Sequence, residues 1–260
     1  MSNIPNAFAR GKAFIGFVTG GDPSIEKTEE FVLAMIEAGA NLVEIGVPFS
    51  DPIAEGPVIQ RANIRALSAG ARLGRLFELV ENLRRKTAVP LVFLTYLNPV
   101  FRSGYEPFFK RCRDTGLDGV IIPDLPFEEQ PELRAYSARH EVDLISLAAP
   151  TSRERIRDIS RAATGFLYLV SSLGVTGERG KIITDIPAMV AEVKAAAAIP
   201  VAVGFGIHTP AQAAEIAKTA DGVIVGSAIV RIVEEQGDKA APHIYGYVKQ
   251  MKEAIGGAEA

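Results

Sequence analysis

The sequence predicts a closed eight-stranded α/β barrel, and three observations predict it. Eight short apolar runs alternate with longer amphipathic stretches along the chain. The runs are almost unbroken in Val, Ile, Leu and Phe, as parallel strands covered on both faces must be. The 260 residues match one barrel of about 250 residues better than an open doubly wound sheet. One domain over residues 1–260 is expected, with extra helices at the N-terminus and in the loops.

Ala13–Thr19 is the first strand, and Ser24 caps a helix to Ala38 by offering an acceptor to first-turn N–H groups. A-G-A-N ends that helix on glycine and leads into the second strand, Leu42–Val47, which Pro48 breaks. Leu73–Lys86 is helical. The third strand, Pro90–Thr95, begins on proline, where the missing donor does little harm. T-G-L-D-G-V-I repeats the glycine-ended helix and opens the fourth strand, Gly119–Pro123. A helix over Glu128–His140 and the fifth strand Asp143–Ala148 follow. Ser152 caps a helix to Ala163, before the sixth strand Gly165–Val170. Asp185 caps the helix to Ala198, and A-I-P-V-A-V repeats the proline entry into the seventh strand, Pro200–Gly204. Thr209 caps the helix to Lys218 ahead of the eighth strand, Gly222–Gly226. The tail 256–260 is expected to fray.

Net charge is −3 with acids and bases interspersed, so no nucleic-acid or membrane surface is indicated. The opening M-S-N-I-P-N-A-F-A-R-G-K carries no long apolar core. No apolar run approaches the roughly 20 residues a membrane helix requires. A single cysteine, Cys112, excludes an internal disulfide and a cysteine metal cluster. It reads as an inert thiol on a helix face, and the expected compartment is the cytoplasm.

In such a barrel, function sits at the C-terminal ends of the strands and in the loops after them. The loops after the second and sixth strands are the longest. L-V-E-I-G-V-P-F-S-D-P-I-A-E-G-P places Glu44 inside an apolar strand, with Asp51 and Glu55 in the loop beyond it. A buried carboxylate is costly, so Glu44 either pairs with a buried arginine or puts its perturbed acidity to use. Its place near the strand's C-terminal end favours catalysis, and Glu55 is near enough to share the mouth. Two carboxylates in unequal surroundings can divide acid and base roles. Asp51 lies in an S-D-P turn that an Asx-type bond explains, and Asp124, between two prolines, reads as a loop brace. After the last two strands, G-F-G-I-H-T-P and V-G-S-A-I-V bring glycines and Ser227 to a helix start, which points to phosphate binding rather than tight turns alone. His140, His208 and His243 lack metal-ligand spacing. No strand end carries a Schiff-base lysine, and neither a nucleophile elbow nor a dinucleotide fingerprint appears. Cofactor-free acid–base chemistry on a phosphorylated substrate is the expectation.

The run from Val43 to Pro57 closely resembles the signature of the tryptophan synthase α subunit family. F-V-T-G-G-D-P, Y-L-N-P, P-D-L-P, L-G-V-T-G, G-F-G-I and G-S-A-I-V extend the resemblance, in order, over nearly the whole chain. The resemblance implies a TIM barrel that cleaves indole-3-glycerol phosphate to indole and glyceraldehyde 3-phosphate. It implies a β-subunit partner in an α-β-β-α heterotetramer, with pyridoxal phosphate held by that partner and no cofactor in this chain. By position, Glu44 matches the family's general acid and base, and Tyr168 the tyrosine that helps orient it. Glu55 stands where the family usually has aspartate, which bonds the indole N–H; here the acid is one methylene longer. Phe17, Leu94, Tyr96 and Ile224 match the apolar walls around the indole. Gly177, Gly206, Gly226 and Ser227 match the phosphate-binding positions, Thr176 falls in a loop suited to a lid, and Asp51 matches a residue that communicates with the β subunit. The competing readings are a stand-alone lyase that releases indole, another phosphate barrel such as a sugar-phosphate epimerase or isomerase, and a mainly regulatory subunit.

Overall fold

The computed structural model describes residues 2–149, 153–170, 185–196, 199–204 and 206–257. Strands β1 (Ala13–Thr19), β2 (Leu42–Gly46), β3 (Leu91–Leu94), β4 (Gly119–Ile121), β5 (Asp143–Ala148), β6 (Leu167–Val170), β7 (Val201–Gly204) and β8 (Gly222–Val225) close in chain order into a TIM barrel. Every pairing is parallel, and β8 returns to β1 with Ile15 opposite Ile224. The third and seventh strands start one residue later than expected: Pro90 and Pro200 stand just outside, since proline has no N–H for the ladder.

Alternation along the strands sends every second side chain inward. Ile15, Leu42, Val92, Ile121, Ile145, Tyr168, Ala202 and Ile224 thereby form one buried interior cluster. The intervening residues, such as Val43, Ile45 and Phe93, face the helical layer. The N-terminal helix Ile4–Phe8 plugs the lower end of the barrel: Ile4 and Ala7 join the interior cluster, and Phe8 lies 5.7 Å from Phe166. Asp118 pins this plug. One of its oxygens accepts from Asn3 N at 2.7 Å, and the other accepts from Leu91 N and pairs with Arg84. The sealed lower end leaves the opposite mouth as the open one.

Ser24 accepts from Lys27 N at 3.1 Å, Asp185 from Ala188 N at 3.1 Å, and Thr209 forms a full capping box with Gln212. Ser152 lies outside the described residues. The expected loop helices are present as Pro57–Ser68 after β2, and Leu97–Ser103 and Tyr105–Thr115 after β3. Cys112 is fully buried in the last of these, and burial pushes its thiol up, away from the reactive thiolate. Gly116 ends that helix in the left-handed region (φ +80°), where a Cβ would meet Arg84 at 2.7 Å. Among the described residues no helix is long and apolar enough to cross a membrane.

Candidate active site

Glu44 occupies the inward face of β2, in register with Phe17 of β1 and Val92 of β3. It is 1% exposed, and its Oε1 has no hydrogen-bond partner among the described residues. No arginine compensates it there, so the structural reading of a buried ion pair loses its partner. Desolvation alone pushes the carboxyl up to about 8. At neutral pH it therefore stands mostly as an acid with a proton to give.

Glu55 closes the loop after β2, two residues ahead of the helix Pro57–Ser68. It is 5% exposed, and its Oε2 accepts from Asn63 Nδ2 at 2.6 Å. Burial pushes this acid up to about 7, while the Asn63 donor pulls the other way. The two carboxylates thus differ in surroundings: Glu44 is buried with its Oε1 unpartnered among the described residues, whereas Glu55 is held by an amide.

Both line one cavity at the C-terminal mouth of the barrel, where strand-end side chains and loop residues converge. Phe17, Leu94 and Ile224 supply its apolar walls. Tyr168 faces in from β6, and its hydroxyl is driven well above the usual range, first by burial and then by the charge of Glu44. The phenol stays protonated and can act as a donor beside that acid. Glycines make room for these rings. A Cβ at Gly204 would lie 2.4 Å from the Tyr168 hydroxyl, and one at Gly46 would lie 2.6 Å from the Phe17 ring.

Gly206, Gly226 and Ser227 line the cavity as well. Gly226 is the N-cap of the helix Ser227–Gln236, so the unsatisfied N–H groups of its first turn meet the cavity. Gly206 adopts a positive φ of +79°, and the loop after it is braced. Gln212 Oε1 accepts from His208 N and Thr209 N, and the Tyr247 hydroxyl donates to His208 O at 2.9 Å.

Tyr96 and Asp51 stand apart from the residues that line the cavity. Tyr96 is buried behind the wall, stacked on Phe49 at 5.1 Å, with its hydroxyl accepting from Ala54 N at 3.0 Å. It reaches the cavity only through Ala54, which does line it. Asp51 is exposed in the loop and takes a hydrogen bond from Ser50. Thr176 and Gly177 lie outside the described residues. Asp124 is the loop brace it was read to be, accepting from Leu97 N at 2.9 Å. Sequence reading missed Ile59, Leu147 and Asn63. Leu147 could have been found by counting inward positions on β5, and Ile59 by helical spacing after Glu55. Nothing local marks Asn63.

A parallel barrel with two buried carboxylates and a glycine-framed helix start on one cavity belongs to the acid–base enzymes that work at a barrel mouth. The family model for the tryptophan synthase alpha chain matches residues 6–256. A tryptophan synthase alpha chain from Lacticaseibacillus casei is 47% identical, covering 98% of this chain and 96% of its own length. Among solved structures, subunit alpha from Legionella pneumophila str. Paris superposes with a TM-score of 0.88 at 34% identity, covering 99% of each chain. A Pyrococcus furiosus structure, described as the tryptophan synthase a2b2 complex, gives 0.84 at 34% identity, covering 94% of this chain and 98% of that one. The chain belongs to the tryptophan synthase alpha chain family.

Proposed function

We propose that this chain acts as the α subunit of a tryptophan synthase, cleaving indole-3-glycerol phosphate to indole and glyceraldehyde 3-phosphate. The observation that carries the reading is Glu44: a proton-bearing carboxyl, unpartnered among the described residues, on an apolar cavity that also holds a second acid. Indole is a poor leaving group until its ring is protonated. Glu44 gives its proton to the third ring carbon, and the positive charge that develops on the ring nitrogen is met by the Glu55 carboxylate. Glu44, now ionised, takes the proton of the adjacent glycerol hydroxyl. The O–H pair becomes the aldehyde C=O, the carbon–carbon pair returns to the ring, and Glu44 ends protonated as it began. Tyr168 orients Glu44 through its hydroxyl.

Phe17, Leu94 and Ile224 sandwich the flat ring, with Tyr96 holding Ala54 against it. Gly206, Gly226 and Ser227 receive the phosphate at the start of the helix Ser227–Gln236. Phosphate binding remote from the reacting bond supplies energy for orientation. The chain needs no cofactor for these steps, and pyridoxal phosphate belongs to the β subunit. We place the enzyme in the cytoplasm and treat residues 1–260 as one working domain.

Ile53 is 72% exposed two residues from Asp51, and Phe101 is 66% exposed on the helix after β3. The full-length match to tryptophan synthase alpha chains, among them one solved in an a2b2 complex, supports a β-subunit partner and an α-β-β-α assembly over a stand-alone lyase. Steady-state indole release by the isolated chain, with and without β subunit, tests this. Strong acceleration by the β subunit is expected. Full activity alone, unchanged by the partner, would assign the chain to the stand-alone class.

A further inference from the structure

We propose that Asn63 is a positioning residue for the cleavage: it ties down one oxygen of Glu55 from a clamped helix, so that the other oxygen faces the ring nitrogen as part of a carboxylate. This inference rests on the role given to Glu55 above. Asn63 is 3% exposed, and its Nδ2 lies 2.6 Å from Glu55 Oε2. An amide N–H can only donate, so the contact favours the ionised form of the acid against the desolvation that opposes it. Among the described residues Oε1 of Glu55 accepts from no other group. Glutamate has one more rotatable bond than aspartate, and an untethered Glu55 would spread its charge over several rotamers. The tether selects one.

The helix that carries Asn63 is itself immobilised. Gln60 Nε2 donates back to Glu55 O at 2.8 Å, fixing the start of the helix to the acid's own backbone. Ile59, one turn before Asn63 on the same face, lines the cavity. On the far side Arg65 grips Asp22 through two bonds of 2.9 and 2.7 Å. Arg61 and Arg65 both reach Glu234 on the helix that begins at Ser227. Asn63 therefore sits on a rigid strut between the second loop and the phosphate-binding helix, and not on a free surface. Purely structural satisfaction of a buried acid would use the same bond but would leave the titration of catalysis untouched.

The titratable groups facing Glu55 are Glu44 and Tyr168, which share the cavity, and Tyr96, which packs behind the second loop; no lysine or arginine is among the described residues lining the cavity. In kcat/KM against pH, Glu55 must be ionised and Glu44 protonated. The acidic limb near 7 therefore belongs chiefly to Glu55 and the alkaline limb near 8 chiefly to Glu44, the two acids titrating as a pair.

The test is a double-mutant cycle in the complex with β subunit, using Asn63→Leu, Glu55→Gln and the pair, with cleavage followed across pH. Asn63→Leu is expected to lower kcat at pH 7 by about fivefold or more, to leave KM nearly unchanged, and to move the acidic limb up by about one pH unit. In the Glu55→Gln background the same change should have almost no further effect. An unmoved acidic limb with normal kcat, or an equal loss in both backgrounds, overturns the role of Asn63. If Glu55→Gln alone keeps full cleavage, the assignment of Glu55 fails instead, and the two failures are distinct. Should Asn63→Leu fail to fold, Asn63→Ala carries the same cycle and the same outcomes.

Discussion

Replacing Glu44 by glutamine should destroy activity and, at alkaline pH, stabilise the fold. The carboxyl is ordinary in the unfolded chain, near 4.5, and lies at about 8 when buried in β2. A folded value above the unfolded one means that the folded state holds its proton longer. The associated stability is fully present below about pH 4.5 and drains away as pH rises to 8. Between pH 5 and pH 8 the loss amounts to about 3–4 kcal/mol, at about 1.4 kcal/mol for each pH unit. Glutamine never ionises, but its buried amide lacks partners and costs about 1–3 kcal/mol at every pH. The wild type should therefore melt higher at pH 5 and the variant higher at pH 8.5. The swing should be on the order of 10 °C, from about 2–4 °C per kcal/mol in a chain of this size. Over the same range cleavage should fall by about 10²–10⁴-fold, the usual contribution of positioned proton transfer. Thermal melts at both pH values and steady-state indole release check this. Near wild-type cleavage, or a melting difference that does not change with pH, would refute the assignment of Glu44 as a buried proton carrier.

Glu55→Asp keeps a carboxylate near the ring nitrogen and should retain cleavage within about tenfold, because charge at that point matters more than reach; a larger loss would show a pocket built around the longer side chain held by Asn63. Gly204→Ala places a methyl 2.4 Å from the Tyr168 hydroxyl and should cost about 1–3 kcal/mol in a denaturant melt. It should also lower cleavage, whereas a fully active variant would show that the Tyr168 position is not needed. Arg65→Ala leaves the Asp22 side chain, only 2% exposed, without its partner and should cost about 3–5 kcal/mol. The double variant Asp22→Asn with Arg65→Met should recover most of that loss in the same melt, and equal damage in the two would show that the pair itself is dispensable.

How much of this was legible beforehand varies by residue. All eight strands were readable because parallel strands buried on both faces need continuous apolar runs, and the ends shifted only where proline or loop residues could not join the ladder. Glu44 stood out because a carboxylate in such a run breaks the pattern. Ser24 and Thr209 were readable as caps because capping is local chemistry. Asn63 was not readable, since its only signal is a partner eight residues away across a loop whose path the sequence does not state. Tyr96 was expected in the wall; its ring is buried against Phe49 and its hydroxyl accepts from Ala54 N, which lines the cavity, a placement set by the path of the second loop.

By itself, the sequence determined the eight-stranded barrel, because periodicity and composition follow from covering each strand and each helix face, and its motifs pointed to the family and singled out Glu44 and Glu55 as candidate acids. Only the tertiary structure decided which acid has an oxygen unpartnered among the described residues and which is tethered. It also decided that the helix after β2 is bolted through Arg61 and Arg65 to the helix that starts at Ser227. The physical reason is that an acid's proton affinity depends on solvent exclusion and on partners brought together by folding. Those are properties of three-dimensional neighbours, and no local pattern encodes them.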